Sequence, residues 1–327
     1  MVQELKEVIC DMPFTQVCVE QNGDVYFCCP NWTGFSPIGN LNKNTFSEIW
    51  YGEKAQEFRQ QFFDNNFHIC KLDLCVKGIK TCISPEQKIP KPRIVIFNYD
   101  VSCNQRCIFC RDVLSNLTQI PDFLSEDKID VFLEDILESA EIVMPSTAGE
   151  TFFSPKTQEL IKRISIKFPS MKFSILTNGL LASPKMFEEL NLTNKISQMV
   201  VSLHAVHSWT YNKMIKGGNF RRVMSNVRYM SKLKKEGKIK CFNLNFVVNA
   251  YNYKEMPKFV KMAEKLGATA TFLEFLDMNI DRKIYDKLNV FSEKHPKHAD
   301  FCKVLANPIF NSKHCQMNDF LSRFHKI

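Results

Sequence analysis

Between Arg93 and Leu276 the chain alternates six β-rich runs with helical segments, and this repeat limits its fold more than any other feature. The runs are Arg93 to Tyr99, Glu141 to Pro145, Lys172 to Thr177, Ile196 to Ser202, Cys241 to Val248 and Thr269 to Leu276. Between them, Ser125 caps a helix through Ser139, and further helices are predicted from Pro155 to Lys167, Pro184 to Leu190, Phe220 to about Lys235 and Lys254 to Leu266. Strands separated by whole helices pair in parallel through right-handed crossovers. The expected fold is therefore α/β with a parallel sheet, and functional side chains should gather at the C-terminal ends of its strands.

Residues 1–85 have a different character. They are rich in cysteine, aromatics and turn residues and poor in long periodic segments, the look of a module held by metal as much as by a core. Gly23-Asp24 between two extended runs predicts a hairpin, Thr45 caps a short helix through Trp50, and a second helix runs from Glu53 to Phe63. SPEQKIPKP, ending at Pro92, reads as a linker. The expected domains are a cysteine-rich module over 1–85, a linker over 86–92, a β/α domain over 93–280 and a C-terminal extension over 281–327.

Composition bounds the class. The 327 residues are 45% hydrophobic and 12% aromatic, ample for a buried core. No run approaches the roughly 18 apolar residues of a spanning helix, and the first residues lack the pattern of a secretory signal, so a cytoplasmic location and no membrane partner are expected. Thirteen cysteines in local clusters point to metal binding in a reducing compartment. The net charge is +8, but residues 1–85 hold 7 Lys/Arg against 10 Asp/Glu, so the remainder is the basic part. A basic half can attract an anionic substrate, although its densest stretch, Lys232 to Lys240, also reads as the solvated end of a helix. No nucleic-acid-binding motif is present, and no nucleic-acid partner is expected.

Directly after the first β run, VSCNQRCIFCR places Cys103, Cys107 and Cys110 in C-x3-C-x2-C spacing, with Phe109 before the last thiol. Thiolates so spaced can wrap one corner of a [4Fe-4S] cluster, which normally takes four cysteines. Three protein ligands leave one position open, the arrangement of a reactive site. A zinc knuckle is the other reading of this spacing. Ala148-Gly149-Glu150 ends the second run, Thr177-Asn178-Gly179 the third and Ser202-Leu203-His204 the fourth, with Lys216-Gly217-Gly218 downstream. Asn249, Asn252 and Glu274 close the fifth and sixth runs. Cys18 and Cys241 fall in apolar strand patterns and are expected to be buried.

With these motifs the chain resembles the radical S-adenosylmethionine (SAM) enzymes, whose fold is a partial (β/α)6 TIM-like barrel. The resemblance implies that Cys103, Cys107 and Cys110 bind a [4Fe-4S] cluster and that SAM chelates its unique iron. Gly149 and Glu150 then correspond to the Gly-Gly-Glu motif that holds the SAM amino group, with Ala148 in place of the first glycine. Phe109, Asn178, Ser202 and Lys216 are implied SAM or cluster contacts. His204 stands where the family carries an acid, and either reaches the substrate or is a satisfied strand-end histidine.

The N-terminal part, with Cys10, Gly23, Cys28, GNL at 39–41, EIW at 48–50 and then Cys70 and Cys75, resembles the SPASM/twitch auxiliary-cluster domain. It lies before the barrel, whereas the family usually places it after, and the final pair has C-x4-C spacing. The implied ligands of one auxiliary [4Fe-4S] cluster are Cys10, Cys28, Cys70 and Cys75, with Cys29 and Cys82 as alternates. The implied function is reductive cleavage of SAM to a 5′-deoxyadenosyl radical and hydrogen-atom abstraction, in a net oxidation (dehydrogenation or cross-linking) of a small molecule or peptide. An electron donor such as flavodoxin or ferredoxin would be the partner. The competing reading is a non-catalytic iron–sulfur or zinc scaffold protein.

Overall fold

A computed structural model describes residues 6–8, 10–28, 30, 36–64, 66, 70, 81–83, 89–110, 124–277 and 280–317. In chain order its elements are β1 (Lys6–Val8), α1 (Met12–Thr15), β2 (Gln16–Glu20), β3 (Asp24–Tyr26), β4 (Gly39–Asn40), α2 (Phe46–Tyr51), α3 (Glu53–Phe63), β5 (Thr81–Ile83), β6 (Ile94–Asn98) and β7 (Arg106–Cys107). They continue with α4 (Glu126–Leu137), β8 (Ile142–Met144), α5 (Pro155–Lys167), β9 (Lys172–Thr177), α6 (Pro184–Glu189), β10 (Ile196–Ser202), α7 (Ser208–Met214), β11 (Ile215–Lys216) and α8 (Phe220–Lys235). The last are β12 (Ile239–Val247), α9 (Met256–Leu266), β13 (Thr269–Leu273), α10 (Arg282–Leu288), α11 (His298–Leu305) and β14 (Cys315–Met317). All six predicted strands are present, as β6, β8, β9, β10, β12 and β13. Among the described residues no helix is long and apolar enough to cross a membrane.

The chain divides into two compact units. The first comprises Met1–Val101, Gln119–Gly149 and Ile166–Lys172. Its strands follow the order β8-β6-β2-β3-β4. The hairpin predicted at Gly23-Asp24 is formed by β2 and β3, and Gly23 supplies the positive φ of its turn, 82°. Strand β2 also lies parallel to β6, from Gln16 opposite Ile94 to Glu20 opposite Asn98. Val17, Cys18 and Val19 are consecutive and all fully buried, so both faces of this inner strand are covered, where a half-exposed strand would alternate. Thr45 and Glu48 form a capping box at the start of α2. Helix α2 buries Trp50 and Phe46, which with Phe27, Phe58, Phe97 and Phe132 build an aromatic core through ring contacts of 5.0 to 5.9 Å.

The second unit comprises Ser102–Thr118, Glu150–Ser165 and Phe173–Ile327. Strands β9, β10, β12, β13 and β14 follow one another in space as in sequence, every neighbouring pair parallel. Helix α8 turns Val223, Val227 and Met230 inward and carries Lys232, Lys234 and Lys235 in its last turn, where cations complement the helix dipole. Helix α9 ends at Gly267 in the left-handed conformation. Both units are mixed α/β with parallel strands, in keeping with a partial (β/α)6 TIM-like fold.

One local expectation changes. Cys241 is exposed, because the alternation along β12 turns Phe242, Leu244 and Phe246 inward and puts residue 241 on the other face. The C-terminal extension forms α10 and α11 and then returns as β14, which extends the sheet beyond β13.

Candidate functional site

In the second unit the loop carrying Cys103, Cys107 and Cys110 is fixed by its backbone. Strand β7 pairs antiparallel with β11, setting Cys107 opposite Ile215 and Arg106 opposite Lys216. The Ile108 N–H donates to Met214 O at 2.9 Å, and the Cys110 N–H to Cys107 O at 3.1 Å. Gln105 donates from Nε2 to the buried Tyr211 hydroxyl at 3.1 Å, and from its N–H to Cys103 Sγ at 3.5 Å. Two glycines make this close docking possible. A Cβ on Gly217, at φ 78°, would lie 2.8 Å from Asn104 O, and one on Gly218 would enter the Tyr211 ring.

Gly217→Ala is thus expected to displace the cysteine loop, lowering stability by about 1–3 kcal/mol and reducing iron bound on reconstitution. Gly237→Ala is the control. Its φ of 73° imposes a similar backbone cost, but open space surrounds it, so iron loading should not change. Denaturant unfolding together with iron analysis checks both.

The structure brings Glu150, Asn178 and Cys103 into one network. Glu150 follows β8 in the chain and is fully buried. Its carboxylate accepts from the Thr177 hydroxyl at 2.5 Å, the Asn178 N–H at 2.6 Å and the Phe152 N–H at 3.3 Å. The Asn178 side chain in turn donates to Asn104 Oδ1 at 2.8 Å and to Cys103 Sγ at 3.8 Å. Burial pushes the Glu150 carboxyl up to about 7 despite these donors. Burial likewise raises the Cys103 and Cys107 thiols, and the charge of the neighbouring thiols adds to it.

His204 stands just past β10 at φ 60°. Its Nδ1 accepts from the Val247 N–H at 3.0 Å, so the ring proton lies on Nε2. Burial lowers its pKa to about 3, which keeps the ring neutral. Its ring lies nearly perpendicular to that of Phe109, with centroids 4.8 Å apart. Ser202 ends β10, half-buried, opposite Asn245. Lys216 is exposed on β11. Gly149 belongs to the first unit, where its N–H donates to the Ser146 hydroxyl at 3.2 Å.

Asn249 and Asn252 are fully buried backbone supports. Asn252 donates to His204 O at 3.0 Å and Val247 O at 2.9 Å, and accepts from the Asn249 N–H at 2.8 Å. Glu274 follows β13. Sequence reasoning did not single out Gln105, Tyr211 or Glu255. The last is a buried carboxylate that accepts from the Val206 N–H at 2.6 Å, the His207 N–H at 3.2 Å and the Thr210 hydroxyl. The signal available for Glu255 was a carboxylate at a helix N-terminus, a pattern shared by many surface caps.

In the first unit, Cys10 precedes α1, Cys28 follows β3 and Cys70 lies beyond α3, each half-buried. Cys75 and Cys29 lie outside the described residues, as does the Cys82 side chain. Among the described residues, no three Cys, His, Asp or Glu side chains close on a point as the ligands of a single ion would. The two donors onto Cys103 Sγ, from Gln105 and Asn178, suit a ligating thiolate. In the first unit, Arg59 Nη2 is buried with no hydrogen-bond partner among the described residues.

Comparison with known proteins gives a consistent picture. A family model described as "Radical SAM superfamily" matches residues 99–263, and one described as "Iron-sulfur cluster-binding domain" (SPASM) matches residues 10–75. An AdoMet-dependent heme synthase of Methanosarcina barkeri is 22% identical over 187 residues, 57% of this chain and 51% of that protein. A GTP 3′,8-cyclase of Lactiplantibacillus plantarum is 27% identical over 188 residues, 57% of this chain and 54% of that protein. The chain thus matches about half the length of these curated relatives. A solved structure of anSMEcpe with bound AdoMet and a Kp18Cys peptide covers 68% of this chain and 63% of its own at 16% identity, with a TM-score of 0.46.

Proposed function

Because the chain belongs to the radical SAM superfamily, with its SPASM segment N-terminal to the radical SAM core, we propose that it cleaves SAM reductively and abstracts a hydrogen atom from its substrate. The net reaction proposed is an oxidation, by dehydrogenation or cross-linking, of a small molecule or a peptide. When bound, SAM and the iron–sulfur clusters supply a 5′-deoxyadenosyl radical for hydrogen abstraction and an acceptor for the electron left on the substrate.

The protein's part is to bind, orient and exclude water. Cys103, Cys107 and Cys110 are the proposed ligands of the SAM-binding cluster, on a loop anchored by β11, Tyr211 and Gly217. Glu150 receives the SAM ammonium with Gly149 beside it, because a buried carboxylate gains most from a cation. Asn178, Ser202 and Lys216 are assigned to the remaining polar groups of SAM. Phe109 and the neutral His204 form an apolar wall that keeps water from the radical. Residues 1–85 act as the auxiliary module, with Cys10, Cys28, Cys70 and Cys75 as ligands. A flavodoxin or ferredoxin is the proposed electron donor, and the barrel is taken to occupy 93–280.

The observation that carries this reading is the Glu150–Asn178–Cys103 network, which links a cation-seeking carboxylate to a thiolate position. Anaerobically reconstituted protein reduced with dithionite should release 5′-deoxyadenosine and methionine from SAM. Full cluster loading without either product would rule out the enzyme. Iron analysis separates one cluster from two, with roughly four or roughly eight irons per chain.

A further inference from the structure

We infer that the face formed by β7, β11, α7 and the first turn of α8 is the docking surface for an acidic one-electron carrier protein that reduces the cluster of the cysteine loop. The inference rests on the proposed reading of Cys103, Cys107 and Cys110 as cluster ligands, and it starts from charge. From Leu190 to Lys235 the chain has nine Lys and Arg residues and no Asp or Glu. The loop from Val101 to Cys110 adds Arg106, again with no acid. Arg106, Lys213, Lys216, Arg221 and Arg222 are all exposed, and among the described residues none of the five forms an ion pair.

The fold accounts for only some of these cations. Lys232, Lys234 and Lys235 lie in the last turn of α8, where the helix dipole favours them. Arg221 and Arg222 lie in the first turn of the same helix, which holds no acid, and there the dipole opposes them. Arg106 stands directly opposite Lys216 in the ladder of β7 with β11. Residues so opposed project from one face, and like charges there destabilise the pair. Their neighbours Cys107 and Ile215 take the other face, where Ile215 is buried. Lys216 is already assigned to SAM, which leaves Arg106, Lys213, Arg221 and Arg222 without an anion. Three of these four sit against the fold's own electrostatics, and an anion from outside the chain would relieve that.

The surface has the make-up of a protein interface and lies beside the cysteine loop. Helix α7 runs directly into β11, and Met214 O accepts from the Ile108 N–H of that loop at 2.9 Å. The Cys110 thiol is exposed, so the loop itself reaches the protein surface. Lys213 lies over the Tyr251 ring at 3.8 Å. One turn earlier on α7, Trp209 is 64% exposed and stacks on His207 with centroids 6.0 Å apart. An exposed tryptophan among cations suits a protein partner with an acidic surface, which complementary charge would steer to this face. The partner's reduced flavin or iron–sulfur centre is oxidised by one electron and the cluster is reduced by one, with no bond made or broken.

The test combines Lys213→Gln, Arg221→Gln and Arg222→Gln in the full, cluster-loaded chain. Lys232→Gln, Lys234→Gln and Lys235→Gln form a control that loses the same charge at the other end of α8, roughly 20 Å from Arg221. Calorimetry with oxidised flavodoxin, and 5′-deoxyadenosine formation driven by reduced flavodoxin, are read anaerobically at low and high salt. At low salt the first variant should bind flavodoxin, and be reduced by it, roughly tenfold less well, with a flatter salt dependence. The control should match the native protein, and dithionite-driven cleavage should be the same in all three. Because α8 loses two disfavoured cations, the variant's denaturant midpoint should rise slightly instead of falling. Equal binding and salt dependence in the variant and the native protein would overturn the inference, and so would an equal loss in the control, the mark of net charge alone. Absence of salt-sensitive flavodoxin or ferredoxin binding to the native protein, or a variant defect confined to single-stranded RNA, would overturn it too. If dithionite releases no 5′-deoxyadenosine from the native protein while flavodoxin binding follows the expected pattern, the SAM-cleavage reading fails and the docking face stands.

Discussion

Alanine at any one of Cys103, Cys107 and Cys110 is expected to reduce 5′-deoxyadenosine formation from SAM to background, a loss on the order of 10⁴-fold. Iron per chain should fall by about half, to the auxiliary complement, if two cubanes are present in the native protein. The size of the effect follows from the loop's construction. Burial raises the pKa of Cys103 and Cys107, and the charge of neighbouring thiols in the loop adds to it. Ionising all three together is favourable only against a strongly cationic centre, so losing one ligand removes the reason for the other two to be thiolates. Cys241→Ala is the matched control, because that thiol is exposed on β12 and should leave both readouts unchanged. A cysteine-loop variant with full activity would place the cluster elsewhere.

Glu150→Gln is the second large effect. Hydrogen bonds to charged groups contribute about 1.5–3 kcal/mol, so the neutral amide should weaken SAM binding by roughly 10–100-fold. The pH dependence is more diagnostic. The folded-state pKa of Glu150, about 7, lies above its ordinary value of 4.5. The folded protein therefore holds this proton over a range in which the unfolded chain has lost it. Stability of the ligand-free protein should fall as pH rises from about 4.5 to about 7, by about 3 kcal/mol in all, and then level off. SAM affinity should change in the opposite sense, rising through pH 7 as the carboxylate forms. Both dependences should vanish in Glu150→Gln. Denaturant midpoints of the unloaded protein and calorimetric titration of the cluster-loaded protein measure them, and a native SAM affinity that is flat from pH 5.5 to 8 would exclude Glu150 as the ammonium acceptor.

Much of this could be read from residues in order, because caps and periodicity are local. The N-cap at Thr45, the inward face of α8 and the β-rich run before Cys103 each depend on a few neighbours in the chain, and the elements appear within a few residues of their expected ends. What escaped depends on partners distant in sequence. Nothing in QVCVE announces that β2 will lie parallel to β6, and a two-residue ladder such as β7 with β11 is too short to leave a pattern. Arg59 sits in a helix that reads as solvated, and only the aromatic residues brought around it reveal it as buried. Cys241 failed for a related reason, since a period-two pattern shows that a strand alternates but not which half faces inward. At the site, Glu150 and the cysteines stood out by spacing, whereas Gln105, Tyr211 and Glu255 act through contacts between separate elements.

The parallel pairing of β2 with β6 also bears on the order in which the protein can be made. During synthesis the β2–β3 hairpin leaves the ribosome well before its remaining partner, since residue 16 must wait for residue 94. For that interval an apolar strand, Val17 to Val19, has one edge open. Such an edge can recruit another nascent chain or a chaperone, and its closure is a slow, long-range contact.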